Sequence, residues 1–318
     1  MNRTLETGLA ATTKWLVRWL PRSLRLAFGR FAGRLVFRYD KKHREVTIQN
    51  IHLAYGNEKT SVEKTALAKH AYEHFGAMFL ELLTLGNATK DKVYRYVEFA
   101  GVDRYEDARG VGKGIIMITA HYGNWEMHAV AHGFLFGPMY VVAKEQENSY
   151  FNRSLEEIRS LSGNHVIYKD QALRQAYAHL KDGDTVAIVI DQNVHLKDAV
   201  FVDFFGRQAA TTPVAAWLAL KTGAVLLPAF SMPLSSGRYK LTYEEPLDLE
   251  PYRDLPQAEA IRAITQELTR VQERVIREHP EYWLWMHRRF RTRPRPAAAG
   301  EAPKTKPPEK PAVAEESS

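Results

Sequence analysis

Ile115-Ile116-Met117-Ile118-Thr119-Ala120 runs directly into His121-Tyr122-Gly123-Asn124-Trp125-Glu126. The first six residues are apolar at almost every position, the pattern of a strand buried on both faces of a sheet. The second six open with a base-capable imidazole where that strand should end. Gly123 permits a tight strand-to-helix turn, and a carboxylate follows in what should become a helix. This combination suits a His general base oriented by a carboxylate, able to make a hydroxyl nucleophilic. It equally describes a polar histidine that closes a strand and does no chemistry.

Outward from this stretch the chain alternates. Short β-like runs fall at 96–99, 114–120, 139–143, 166–168, 185–190, 225–231 and 239–243, and helix-like runs at 125–136, 150–162, 171–181 and 213–222. Apolar strands alternating with helices predict an α/β fold: a mainly parallel central sheet covered by helices. Residues 45–86 read as helical throughout, with Ser61-Val62-Glu63-Lys64 as a loose capping box. Another helix is expected over 257–279, with Ile261, Ile264, Leu268, Val271 and Val275 on one face.

Composition narrows the chemistry. The chain of 318 residues is 45% hydrophobic and 25% charged, enough for a substantial core. It contains no cysteine, which excludes disulfides, thiolate metal sites and cysteine nucleophiles. The net charge of +7 is uneven: residues 1–45 hold eleven Lys or Arg against Glu6, Asp40 and Glu45. A concentrated positive charge implies an anionic surface met by that end. No run is long and apolar enough for a clear transmembrane helix. The stretch 15–37 comes nearest, but arginines and Pro21 interrupt it. Arg18, Arg22 and Arg25 share one face, and Leu16, Trp19, Leu20, Leu24 and Phe28 lie mostly elsewhere, as in an interfacial amphipathic helix with snorkelling Arg. A solvated charged face packed on the rest of the protein gives the same pattern.

The expected organisation is therefore threefold: basic amphipathic membrane-associating helices over 1–45, a catalytic domain over 46–293, and a disordered Pro-rich tail over 294–318, which holds six prolines.

Several residues could carry chemistry. Ligands in open α/β sheets bind outside the carboxyl ends of the strands, where His121 and Asp191-Gln192-Asn193 both fall. Asp and Asn also simply end strands. The helix N-terminus behind Gly123 offers N–H groups and a positive field for an oxyanion or phosphate. Arg159 stands near a helix end that Gly163 should cap, and could clamp an anion or merely complement the helix dipole. His121, His128 and His132 would fall near one face of a helix starting at His121, a possible zinc set. Glu126, however, points roughly 140° from that face, and no Cys or well-spaced Asp completes it. No metal and no cofactor are expected. The basic run 287–293 beside Tyr282-Trp283-Leu284-Trp285 could meet an anionic lipid, whereas no nucleic-acid motif accompanies it, so nucleic acid is not an expected partner.

Together these motifs resemble the bacterial lipid A biosynthesis late acyltransferases, within the wider lysophospholipid acyltransferase superfamily. The likeness rests on His121-Tyr-Gly-Asn-Trp-Glu126, similar to the family's His-x4-Asp/Glu motif, on Arg159-x3-Gly163-x2-Val166, on Asp191-Gln192, and on Trp285-Met-His-Arg-Arg-Phe-Arg-Thr-Arg-Pro294. Arg44–Tyr55, with Asn50, Leu53 and Ala54, is similar to the family's N-terminal helix. The resemblance implies transfer of an acyl chain from acyl carrier protein to a hydroxyl of a lipid A precursor at the cytoplasmic face of the bacterial inner membrane. A lysophospholipid or another glycolipid is the alternative acceptor, coenzyme A the alternative donor. It implies His121 as base, Glu126 as the carboxylate orienting it, and Arg159 offsetting the tetrahedral oxyanion with help from amides near Gly123 and from Asn124. Asp191 and Gln192 would shape the acceptor side. A non-enzymatic protein binding anionic membranes is the reading from another class. The interrupted N-terminal apolar region departs from the family pattern and favours peripheral attachment over a full span.

Overall fold

A computed structural model describes residues 19–86, 88–145, 149–168 and 171–294. Helices α1 (Arg22–Tyr39), α2 (Lys41–Tyr55) and α3 (Ser61–Leu85) come first, followed by the short α4 (Lys90–Arg95). The body then runs β1 (Val97–Ala100), α5 (Val102–Gly110), β2 (Ile115–Thr119), α6 (Trp125–Phe136), β3 (Tyr140–Ala143), α7 (Ser149–Ser160), β4 (His165–Tyr168), α8 (Ala172–Lys181) and β5 (Thr185–Val189). A hairpin, β6 (Val200–Phe204) and β7 (Arg207–Thr211), precedes α9 (Val214–Thr222), β8 (Val225–Pro233), β9 (Tyr239–Tyr243) and α10 (Gln257–Glu278).

Seven strands form one sheet in the order β1-β9-β8-β2-β5-β3-β4. Every pairing is parallel except β8 with β9. The expected α/β architecture is therefore the observed one. β2 and β5 lie side by side near the middle, and their sequences, apolar except for one threonine at an end of each, follow from burial on both faces. One face packs on α8, α9 and α10 through residues such as Leu180, Leu218, Ile264 and Leu268. The other carries α3, α6 and α7, which bring Leu82, Val130 and Ile158 onto Leu241.

Two segments differ from the sequence reading. Residues 45–86 are two helices, because Gly56 takes a positive φ of 43° and ends α2. Thr60 then starts α3 with a capping box closed by Glu63. The β6–β7 hairpin is unexpected. Its two-residue turn is Phe205-Gly206, with φ of 55° and 68°. Asn-Gly is the usual pair in such a turn, so Phe205 conceals it. The phenyl ring stays there because it is buried against Tyr55 and Trp285. Glu273 also accepts a hydrogen bond from its N–H at 2.6 Å.

α1 lies along α3 at unusually close range. A Cβ added at Gly33 would sit 2.1 Å from the Tyr72 carbonyl oxygen, and one at Gly76 would sit 2.2 Å from that of Gly29. The backbones therefore touch through glycines, as small-residue helix interfaces do in membranes. The opposite side of α1 exposes Leu24, Phe28, Phe31 and Leu35. Arg22 does not snorkel outward, as the helical wheel implied. It turns inward to pair with buried Glu81 and donates to the Gly237 carbonyl oxygen. A buried carboxylate recruits the nearest cation. Arg18 lies outside the described residues, as does the tail from residue 295. Among the described residues no helix is long and apolar enough to cross a membrane.

Candidate active site

The sheet register builds the site. Ile115 pairs with Thr185 and Thr119 with Val189, an offset carried unbroken along β2 and β5. Two residues beyond these pairs stand His121 and Asp191, at adjacent carboxyl ends. His121 Nδ1 is 2.8 Å from Asp191 Oδ1, and the His121 backbone N–H donates to Oδ2 at 2.9 Å. Trp283 Nε1 donates to the same Oδ2 at 2.7 Å. The carboxylate is thus almost enclosed, 2% exposed against 22% for the His121 side chain. Burial alone would raise Asp191, but the charge and hydrogen bonds of His121, with the Trp283 N–H, hold it below the ordinary carboxylate value. An ionised Asp191 requires the proton on His121 Nδ1. That leaves the Nε2 lone pair outward, where Gln192 Nε2 approaches to 3.3 Å.

The expected pairing of His121 with Glu126 is not the one the fold makes. Glu126 Oε2 accepts from Arg159 Nε at 2.9 Å, and Oε1 accepts from Arg159 Nη2 at 2.5 Å and from Trp125 Nε1 at 3.1 Å. His121 precedes the helix, so helical spacing does not relate it to Glu126, and the first turn of α6 directs the buried Glu126 to α7. Burial disfavours the charged form of Arg159, yet Glu126 outweighs this and raises it. The two residues are joined as a bidentate pair, leaving Nη1 as the guanidinium donor that Glu126 does not use. The Trp125 ring packs edge-on against His121 at 5.0 Å and so links the two charge pairs.

The loop between strand and helix is held from every side. Gly123 N–H donates to Tyr282 O at 2.9 Å, and His74 Nε2 lies 3.0 Å from Gly123 O. Burial pushes His74 down to about 4, so it is neutral near pH 7 and its Nε2–H donates. Asn124 is fully buried: its Oδ1 caps Met127 N–H and its Nδ2 faces Glu81 at 3.4 Å. Gly123 and Asn124 are therefore committed to holding the turn, which corrects the expectation that they would donate to an oxyanion. Gly163, with φ of 84°, turns the chain after α7 against Pro138. A Cβ at Gly123, where φ is 61°, would lie 1.5 Å from Ser231 O. Gly123→Ala is expected to destabilise the fold by roughly 3 kcal/mol or more, lowering Tm by on the order of 6–12 °C. Thermal unfolding of the purified full chain measures this, and an unchanged Tm contradicts it.

The three histidines do not converge. His128 and His132 are buried beneath α6 around Tyr243, whose hydroxyl lies 2.9 Å from His132 Nδ1. His121 faces Asp191 instead. Among the described residues no three His, Cys, Asp or Glu form a group that could hold a metal.

Sequence reasoning missed two residues. Trp283 reaches Asp191 from the closing segment. His287 accepts a hydrogen bond from Asn193 N–H at its Nε2, 3.1 Å away. The aromatic run was visible, but what brings it under the site is long-range backbone pairing: the bridge between Tyr122 and Trp283 and the hydrogen bonds from Gly123 N–H to Tyr282 O and from Leu284 N–H to His121 O.

A mainly parallel α/β sheet thus carries a His–Asp pair at adjacent strand ends with an Arg–Glu pair beside it, an arrangement of the kind that can take a proton from a hydroxyl. Residues 2–292 match the family described as bacterial lipid A biosynthesis acyltransferase, and the chain belongs to that family. It is an acyltransferase. It is 26% identical over 290 residues to the lipid A biosynthesis lauroyltransferase of Escherichia coli (strain K12), covering 91% of this chain and 92% of that one. The lipid A biosynthesis palmitoleoyltransferase of the same strain is 24% identical, with 88% and 89% covered. A phosphatidylinositol mannoside acyltransferase of Mycolicibacterium smegmatis is 28% identical over a shorter span of 131 residues.

Proposed function

We propose that this chain transfers an acyl group from acyl carrier protein to a hydroxyl of a lipid A precursor, at the cytoplasmic face of the bacterial inner membrane. The observation that carries the chemistry is the His121–Asp191 hydrogen bond, which leaves Nε2 as an outward-facing base. The acceptor hydroxyl takes the place of the Gln192 amide at Nε2 and gives its proton to His121 as its oxygen attacks the thioester carbonyl. Asp191 stabilises the imidazolium that forms. Negative charge gathers on the carbonyl oxygen, where Arg159, held by Glu126, supplies a preorganised cation. The C–S bond then breaks and the imidazolium proton passes to the departing thiolate. The proton account closes within one cycle and requires no cofactor.

Membrane attachment is supported by α1, whose Leu24, Phe28, Phe31 and Leu35 form one exposed stripe with Arg38 at its edge. An amphipathic helix of this kind lies in the interface plane. Together with residues 19–45 the basic N-terminal region forms the proposed membrane-associating unit, and the acyltransferase body follows from residue 46.

Mass spectrometry of lipid A from cells with and without the protein tests the acceptor. Loss of one acyl chain without the protein is expected, and its mass gives the chain length. An unchanged lipid A profile overturns the acceptor assignment. The purified full chain should use acyl carrier protein thioesters far better than coenzyme A thioesters, and the reverse order overturns the donor.

A further inference from the structure

Glu81, on α3, is a carboxylate that the reaction above does not use, and it is 4% exposed. Three segments of the chain converge on it. Arg22, at the start of α1, pairs with Oε1. Tyr239, at the start of β9, donates to Oε2 at 2.5 Å. Asn124 Nδ2, at the N-cap of α6, faces the same Oε2 at 3.4 Å. Arg22 is held in turn by Gly237 O at 2.5 Å and by the Tyr96 ring, whose centroid lies 4.3 Å from the guanidinium carbon. Burial and Glu81 push the Tyr239 hydroxyl up, so it keeps its proton and donates. Both carboxylate oxygens therefore meet donors only. Satisfying a buried polar group accounts for the cluster. It does not account for the way Asn124 is turned.

An asparagine amide is nearly symmetric in shape, and its two orientations differ only by exchanging O for NH2. One of them caps a helix: Oδ1 accepts from Met127 N–H at 3.0 Å. Turned round, the amide would set N–H against N–H at the start of α6. Asn124 is 0% exposed, so solvent does not select between the two. Glu81 does, because it presents an acceptor oxygen on the side away from the helix.

The two residues after Asn124 are the ones that join the parts of the site. Trp125 packs edge-on against His121 at 5.0 Å, and Glu126 clamps Arg159. We propose that Glu81 is a positioning residue for acyl transfer: by accepting from Asn124 Nδ2 it fixes the amide that caps α6, and so sets Trp125 against His121 and Glu126 against Arg159. Glu81 acts through Asn124 and touches no reacting atom. Arg22 and Tyr239 anchor the carboxylate to α1 and to the sheet, so α1 contributes to the geometry of a site it does not line. This role rests on the site proposed above.

The test compares two full-length double variants, Arg22→Met/Glu81→Gln and Arg22→Met/Glu81→Met. Both remove the buried ion pair as a unit, which a fold tolerates better than loss of one partner. They differ in whether residue 81 offers Asn124 an acceptor. In steady-state acyl transfer the Glu81→Met form should show kcat about tenfold below the Glu81→Gln form, with KM for either substrate unchanged. Adding Asn124→Ser to both should abolish the difference, because a serine hydroxyl caps the helix with no amide orientation to select. A purely structural role gives the two forms equal kcat, or a difference that persists with Asn124→Ser, and either result overturns the inference. If Arg22→Met/Glu81→Met does not fold, Arg22→Met/Glu81→Leu takes its place, and failure of both apolar forms to fold also overturns it. His121→Ala, assayed alongside, separates the two readings: if it stays active, the site itself has been misassigned.

Discussion

His121→Ala is expected to lower kcat for acyl transfer by about 10²–10⁴-fold with KM for either substrate nearly unchanged. In the proposed reaction the imidazole contacts the acceptor hydroxyl as it reacts, so its loss removes stabilisation made in the transition state. The substitution leaves the loop in place. Leu284 N–H still donates to the residue 121 carbonyl oxygen, and the backbone N–H still reaches Asp191. Steady-state kinetics on purified, folded protein decide the matter, and a variant within threefold of wild type sinks the base assignment.

Asp191→Asn should be nearly as severe, with a loss of about 10²-fold or more. The carboxylate accepts three N–H groups: His121 Nδ1 at Oδ1, and both His121 N and Trp283 Nε1 at Oδ2. An asparagine offers one acceptor oxygen. If its amide nitrogen replaces Oδ1, it faces an N–H and forces the proton to Nε2, where the imidazole can no longer act as a base. If the nitrogen replaces Oδ2, two buried donors lose their acceptor, at about 1–3 kcal/mol each. The sign of the pH effect follows from charge. Removing the anion destabilises the imidazolium, so the residual activity should show its acid limb at lower pH. Glu126→Gln should leave that limb in place, because its carboxylate faces Arg159, while lowering kcat by loosening the guanidinium. A limb that moves with Glu126 and not with Asp191 would restore the His–Glu pairing that the sequence suggested.

That contrast shows which parts of the site could be read from sequence. The strands were legible because β2 and β5 are continuous apolar runs whose lengths match. Their carboxyl ends named His121 and Asp191 together as neighbours of one crevice. The pairing itself depends on register, and register is a property of two distant segments: no spacing within 121–126 reveals that residue 191 stands opposite 121. Glu126 seemed the natural partner because it is close in sequence, but the first turn of a helix points it elsewhere. Trp283 was harder still. Its role arises where the chain returns beneath the sheet after α10, against a hairpin whose turn carries Phe205 where Asn is usual. The exposed stripe on α1 was foreshadowed by its mixture of Arg and apolar residues. The inward turn of Arg22 was not, since it needed buried Glu81, which lies on a different helix.

The glycine contacts between α1 and α3 have a consequence for engineering. Because Gly29 and Gly33 let one backbone rest on the other, α1 is a fixed keel and not a tethered float. A generic amphipathic segment grafted in its place, with alanine or larger side chains at those positions, would be held off the body. Its apolar stripe would no longer sit at the same height or tilt relative to His121. In the proposed membrane-bound state, the angle at which the crevice would meet a lipid surface is thereby written into two hydrogen atoms, one on each glycine α-carbon, where any other residue would carry a side chain.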